Sequence, residues 1–173
     1  MGATVFFSEL ESPLGPLLLS ASEAGLTGVF MVRHKYGPER GPLWERDDAR
    51  LAGARAQLEE YFAGARREFS LPLAPQGTPF QQRVWAELAR IPFGVTVSYQ
   101  ELARRIGAPT ASRAVGAANG RNPLSIIVPC HRVVGADGSL TGYGGGEERK
   151  RWLLAFEGCL PHGARQRSFG FGG

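Results

Sequence analysis

The short stretch Leu73-Ala74-Pro75-Gln76-Gly77 constrains the fold more than any other, because the hydrophobic period changes across it. Before it, brief apolar runs alternate with turn signals. Thr4 to Phe7, Leu17 to Ala21 and Leu26 to Val32 read as strands, separated by Ser12-Pro13-Leu14-Gly15-Pro16 and Glu23-Ala24-Gly25. Residues 33 to 46 contain Pro and Gly breaks and read as an exposed loop, and His34 within it stands alone as a surface residue. Asp47 is a candidate N-cap for a helix reaching Phe62, with Leu51, Leu58, Tyr61 and Phe62 on its apolar face. Phe69 to Leu71 could add a last strand. The linker composition at residues 73 to 77 therefore divides a first domain, residues 1–77, from a second, residues 78–159.

Beyond the linker the period becomes helical. Phe80, Val84, Leu88 and Ile91 form one stripe. Ser98 and Glu101 have capping-box spacing, and the helix they open should run to Ile106 and end at Gly107. Four residues later a second helix, Ala111 to Asn119, completes a helix-turn-helix pattern, which by itself is as often structural as functional. This second helix is nearly bare: Ala111, Ala114, Gly116, Ala117, Ala118 and Gly120 carry almost no bulk. Such a surface suits either a close approach to a phosphate backbone or tight helix packing. Glu147 to Phe156 reads as a final helix, with Trp152, Leu153 and Phe156 inward. Between the two lies the glycine-rich segment Gly135 to Gly146. Glu147 stands where a dinucleotide fingerprint needs its last glycine and no clean strand precedes it, so a loop roofing a pocket is expected rather than a cofactor site. Residues 160–173 lack periodicity and read as a flexible tail.

Chemistry concentrates in Ile126-Ile127-Val128-Pro129-Cys130-His131-Arg132-Val133-Val134. The apolar run reads as a buried strand that Pro129 stops, presenting a thiol at its end with an imidazole and a guanidinium beside it. A core-filling Cys has no need of such neighbours. Adjacent residues in extended chain point to opposite faces, so Cys130 and His131 should communicate through a bridging water rather than directly. An imidazole acting as base wants a carboxylate to orient it, and Glu157 is the candidate; as a helix-end carboxylate it is unfavourably placed in the helix dipole, which points to another purpose.

Composition narrows the setting. At 173 residues the chain can bury a real core, and no apolar run approaches the roughly 18 residues of a membrane span. No signal peptide is apparent, and the two cysteines, Cys130 and Cys159, form neither a disulfide framework nor a zinc set, so a reducing cytoplasmic location is expected. Residues 1 to 78 carry eight basic and ten acidic side chains, while residues 79 to 173 carry twelve basic and six acidic. A basic second half rich in Arg suits a polyanionic partner, although a merely solvated basic surface would look the same.

Pro129-Cys130-His131-Arg132-Val133 resembles the active-site signature of the O6-alkylguanine-DNA alkyltransferases, the methylated-DNA–protein-cysteine methyltransferases. The resemblance extends through Thr78 to Trp85, Ile91-Pro92-Phe93-Gly94, Ser98-Tyr99-Gln100, Ser112 to Gly116, Asn119 to Pro123 and Trp152 to Gly158, and more loosely through Ser12 to Pro16 and Gln57 to Phe62. It implies an α+β protein: an N-terminal ribonuclease H-like α/β domain with a small antiparallel sheet, then a mostly helical helix-turn-helix domain. It implies alkyl transfer from O6-alkylguanine, and also O4-alkylthymine, in double-stranded DNA to Cys130, once per molecule, through a Glu157–His131–water–Cys130 relay. Tyr99 would assist the guanine leaving group and Asn122 would act as the hinge between recognition helix and active-site strand. Arg113 would be the finger replacing a flipped nucleotide, with Ser112, Ala114, Gly116, Ala117, Gly120 and Arg121 along the DNA, and Pro129, Val133, Tyr143 and Gly144 lining the pocket. Gly144 departs from the Ser frequent in the family, which alters how the pocket grips O6. No cofactor and no metal are expected, and a monomer that could bind DNA cooperatively is the expected form. The rival readings are a sensor of alkylated bases without transfer, which would carry Trp at the nucleophile position, a Cys-His hydrolase, and a structural DNA-binding protein.

Overall fold

The computed structural model describes residues 2–32 and 34–159; the expected flexible tail lies outside the described residues. β1 (Val5–Leu10), β2 (Leu17–Ser22) and β3 (Gly25–Met31) form an antiparallel meander, close to the strands read from the sequence. Alternation buries Leu17, Leu19, Ala21, Leu26, Val29 and Met31 beneath the sheet. β4 (Trp44–Arg46) then pairs parallel with β1, giving the order β3-β2-β1-β4. The sheet is therefore mixed rather than purely antiparallel, and the expected loop at 33 to 46 ends in an edge strand. Three residues are too few to show a period of two, and the preceding Gly41-Pro42 masks them further.

α1 (Ala52–Phe62) crosses this sheet with Ala54, Leu58 and Tyr61 buried. Asp47 does not cap it: its Oδ1 accepts from Arg50 N at 2.9 Å, closing the turn that precedes the helix, and Leu51 sits at the N-cap without a side-chain bond. Phe69 to Leu71 form no strand; just beyond them an isolated parallel bridge pairs Leu73 with Leu26 of β3, Leu26 N donating to Pro72 O and Ala74 N to Leu26 O.

α2 (Pro79–Leu88) begins at a complete capping box, Thr78 Oγ1 accepting from Gln81 N and Gln81 Oε1 from Thr78 N, which reading the apolar stripe alone does not reveal. β5 (Val97–Ser98) leads into α3 (Tyr99–Arg105). Ser98 Oγ accepts from Glu101 N as expected, but the Glu101 carboxylate turns away to Arg104, so only half of the expected box forms. Gly107, at φ 76°, ends the helix. α4 (Ser112–Gly120) turns Val115, Ala118 and Asn119 inward against α2 and α3, where Trp85 Nε1 donates to Ala118 O at 2.8 Å. Both readings of its small residues hold at once: Ala118 packs, while Ala114 and Ala117 leave the outer face smooth and exposed.

The largest departure from expectation is at residues 126 to 134. They do not form a strand ending at Cys130. Ile126 takes a left-handed backbone at φ 74°, Cys130–Arg132 form one turn of 3-10 helix, and only Val133–Val134 (β6) extend, parallel to β5. Buried Asn122 imposes this course. Its Nδ2 donates to Val128 O at 2.7 Å, and its Oδ1 accepts from Leu124 N at 3.0 Å, so the chain between is folded into a compact loop. A β-branched residue at positive φ costs about 1–3 kcal/mol, offset here by burying Ile126 almost wholly. The glycine-rich segment closes over this loop and α5 (Glu147–Phe156) completes the chain with Leu153, Leu154 and Ala155 buried. Trp152 and Phe156 are half-buried and stack on each other, rings 5.1 Å apart.

Asn122→Ala removes both bonds, leaving the buried Leu124 amide without its side-chain acceptor and the Val128 carbonyl with the Cys130 amide alone. A loss of about 1–3 kcal/mol is expected, to be read from the denaturant midpoint.

Candidate active site

Cys130 lies at the start of the 3-10 turn and is almost fully buried. Burial pushes its thiol up to about 11, against hydrogen bonding from Asn122 and the nearby Lys150 ammonium, which pull it down. Lys150 was not expected in the site. Wholly buried on α5, its Nζ donates to Val133 O at 2.5 Å and Thr141 O at 3.2 Å, and burial lowers it to about 8 while the Cys130 charge opposes that fall. A lone Lys between acidic and basic neighbours gives no sequence signal of burial; only its place one turn before Leu154 hints at an inward face.

His131 and Glu157 meet as expected, His131 Nε2 lying 2.8 Å from Glu157 Oε2 with both side chains buried. Glu157 caps the C-terminus of α5. Arg132 grips the same carboxylate with a two-pronged contact, Nε to Oε1 at 2.7 Å and Nη2 to Oε2 at 2.9 Å, while its Nη1 donates to Ile91 O. Burial raises the Glu157 carboxyl, but hydrogen bonds and charge from His131 and Arg132 outweigh it and hold it well below the usual range. The Arg132 fork keeps Glu157 ionised even with a neutral imidazole. Burial in turn pushes His131 down, which favours the neutral base. With Nε2–H directed at the carboxylate, the lone pair resides on Nδ1, which is buried and has no hydrogen-bond partner among the described residues.

Tyr99 opens α3 and donates from its hydroxyl to Thr141 O at 2.8 Å; burial raises it to about 12. Around it lies a cavity of about 360 Å³ walled by Tyr99, Ser112, Arg113, Gly116, Thr141 and Gly142. Arg113, Ala114, Ala117 and Arg121 are exposed on this side of α4. Gly142 is required twice over: its φ is 86°, and a Cβ there would meet the Tyr99 hydroxyl at 2.6 Å. The four residues expected to line the pocket sit deeper. Val133 is buried in β6, and Pro129 walls a separate cavity of about 300 Å³ beside Phe93 and Arg132. Tyr143 is buried with its hydroxyl 4.0 Å from Met31 Sδ. Gly144 is buried against the N-terminal half: a Cβ there would lie 2.5 Å from His34 Cε1, and Lys35 N donates to Gly144 O at 2.8 Å. His34, expected at the surface, is thus half-buried, its ring edge-on to Phe30, and burial lowers it to about 4. Gly120 also abuts this loop, 3.3 Å from Gly142 O for an added Cβ.

Among the described residues no cluster of His, Cys, Asp and Glu is arranged to hold a metal, and no helix is long and apolar enough to cross a membrane.

This geometry sets a buried cysteine next to a buried imidazole–carboxylate pair, in a chain whose α4 has a smooth outer face carrying exposed Arg113 and Arg121. Two family models match: the 6-O-methylguanine DNA methyltransferase ribonuclease-like domain over residues 5–75 and the DNA binding domain of the same family over residues 79–159. The chain belongs to this family. It is 52% identical over 153 residues to the methylated-DNA–protein-cysteine methyltransferase of Mycobacterium tuberculosis, covering 88% of this chain and 92% of that protein. The Methanosarcina acetivorans protein of the same name is 49% identical over 154 residues, covering 89% and 99%. The crystal structure of Mycobacterium tuberculosis OGT in complex with DNA superposes with a TM-score of 0.84, 52% identity, and coverage of 88% of this chain and 93% of that one.

Two groups tie this site to pH. Glu157 has a depressed carboxyl, so its stabilising contribution is present above about 4.5 and lost as pH falls towards the folded value. His131 is also depressed, so the folded state resists its protonation and stability falls as pH drops below about 6.5. The melting temperature should therefore fall progressively from pH 7 to pH 4. Glu157→Gln should cost about 3–5 kcal/mol at pH 7 by stranding buried Arg132, and should flatten the dependence below pH 4.5, both seen by thermal melts across that range.

Proposed function

We propose that this chain repairs alkylated DNA by transferring the alkyl group of O6-alkylguanine to Cys130 Sγ, each molecule acting once. The observation that carries the reading is the ordered series Cys130, His131 with an unpartnered Nδ1, and Glu157 fixed by Arg132. The thiol proton passes through water to His131 Nδ1, and the imidazolium is stabilised by the Glu157 carboxylate. Sulfur attacks the alkyl carbon in line, forming the S–C bond as the C–O6 bond breaks. The electron pair returns to the guanine ring, which recovers a proton, with the Tyr99 hydroxyl as donor towards the developing charge. The net exchange is thiol and alkylguanine for thioether and guanine. A thioether has no resolving partner here, since Cys159 lies beyond Glu157 and not in a Cys-x-x-Cys arrangement.

The raised thiol suits a nucleophile that is ionised only when its proton has somewhere to go. The buried Lys150 ammonium favours that thiolate as it forms. Residues 1–77 and 78–159 act as a structural and a catalytic, DNA-binding domain, and α3 and α4 serve as the helix-turn-helix. Arg113, on the rim of the Tyr99 cavity, enters the duplex and fills the place of the flipped nucleotide, while Ser112, Ala114, Gly116, Ala117, Gly120 and Arg121 follow the backbone. Asn122 holds the turn between α4 and Cys130. Val133, Tyr143 and Gly144 set the shape of the pocket from beneath, while Pro129, which walls the separate cavity beside Phe93, fixes the backbone that enters the Cys130 turn.

Mass spectrometry after mixing with duplex containing O6-methylguanine should place one methyl on Cys130, with no second round on fresh duplex. Cys130→Ala should bind DNA and transfer nothing. Loss of the lesion with Cys130 unmodified would overturn the reading, as would an alkyl-independent hydrolysis. Arg113→Ala should slow repair of duplex by roughly ten-fold or more while sparing reaction with free O6-alkylguanine, given an unstacking cost of a few kcal/mol per flipped base. Equal losses on both substrates would remove the finger assignment. Affinity for undamaged duplex should fall steeply between low and moderate salt.

A further inference from the structure

The relay carboxylate has a third partner that comes from the other end of the chain. Tyr61, on α1, is wholly buried, and its hydroxyl donates to Glu157 Oε2 at 2.6 Å across 96 residues of sequence. The same oxygen receives His131 Nε2 at 2.8 Å and Arg132 Nη2 at 2.9 Å, whereas Oε1 receives Arg132 Nε at 2.7 Å. One carboxylate oxygen therefore meets three donors, one more than its two lone pairs accept at full strength. Tyr61 and His131 compete for the same charge.

We infer that Tyr61 is a positioning residue of the proton relay, supplied by the N-terminal half, that fixes the Glu157 carboxylate and limits its pull on the His131 N–H. The inference rests on the relay proposed above. A carboxylate is the obligate acceptor in this bond, and burial together with the adjacent Glu157 charge raises the Tyr61 hydroxyl well above its usual range, so it stays a donor. Its ring is held on three sides, 5.7 Å from Phe69, 5.3 Å from Phe156 and 5.2 Å from Phe62. The hydroxyl thus has no freedom to follow a displaced carboxylate. Other charged or titratable groups face this pair from every neighbouring element: Arg132 from the 3-10 turn, Lys150 from α5, Cys159 beyond it, and Tyr143 from the glycine-rich segment.

Removing the hydroxyl has a definite sign. With one donor fewer, Oε2 concentrates its charge on the two that remain, and the His131 imidazolium is held more strongly. The imidazole then binds a proton at higher pH and is less available as a base at neutrality. The test is the single-turnover rate of alkyl transfer from an O6-methylguanine duplex by the full chain, measured from pH 5.5 to pH 9 and normalised to the active fraction found by titration. Tyr61→Phe should move the acid limb up by roughly half to one pH unit. The rate near pH 7 should fall about three- to ten-fold and return close to the unsubstituted rate by pH 9, with DNA affinity unchanged. Leu58→Ala, a buried neighbour on the same helix whose side chain makes no bond to Glu157, should lower the melting temperature and leave the limb where it was. A Tyr61→Phe profile that coincides with the unsubstituted one, or a loss equal at every pH, would overturn the inference. If the unsubstituted chain itself transfers nothing to Cys130, the relay reading fails first, and the two failures are distinct.

Discussion

One buried carboxylate organises this molecule. Glu157 closes α5, receives both prongs of Arg132, orients His131 and accepts from Tyr61, so the last helix, the 3-10 turn and the first helix converge on a single pair of oxygens. An ionised group in such a place is tolerated because four donors, one of them a guanidinium, converge on its two oxygens. The same saturation is what makes it useful. A carboxylate with no freedom to rotate presents His131 in one tautomer and one orientation, and the imidazole lone pair is left on the nitrogen facing away.

The thiol obeys a different logic. Nothing in its surroundings makes Cys130 a thiolate at rest; burial raises it, and Asn122 and Lys150 only moderate the rise. A permanently ionised sulfur would alkylate or oxidise indiscriminately. A buried thiol that ionises only when a proton acceptor and an electrophile are both aligned is protected from such side reactions. Lys150 contributes twice, once by charge and once by lashing β6 to the segment that carries Thr141, so the electrostatics of the sulfur and the position of the cavity wall depend on one side chain.

Much of this was legible in the sequence because local rules govern it. The three long strands follow from alternation between Gly and Pro punctuation, α2 and α5 from their apolar stripes, and the entry to α3 from Ser98. The Cys130–His131–Glu157 grouping could be anticipated because an imidazole base calls for a carboxylate, and Glu157 was poorly placed for any other duty. The failures share a cause. The segment from Ile126 to Arg132 has the composition of a strand, and what folds it is the side chain of Asn122, four residues earlier, acting on backbone atoms beyond it. Tyr61, Lys150 and His34 were invisible as site residues for the same reason. Their importance lies in contacts that no periodicity encodes: Tyr61 with Glu157 across 96 residues, Lys150 with Val133 across 17, and His34 against Gly144 in the glycine-rich segment.

Gly144 shows how far that principle reaches. An imidazole from the loop after β3 occupies the room that a side chain at 144 would need, and a backbone bond from Lys35 fastens the two segments together. The bulk beside Gly144 is thus contributed by the sheet-bearing half. Any side chain introduced at 144 has to displace an imidazole more than a hundred positions upstream, outside every motif by which this segment would be recognised.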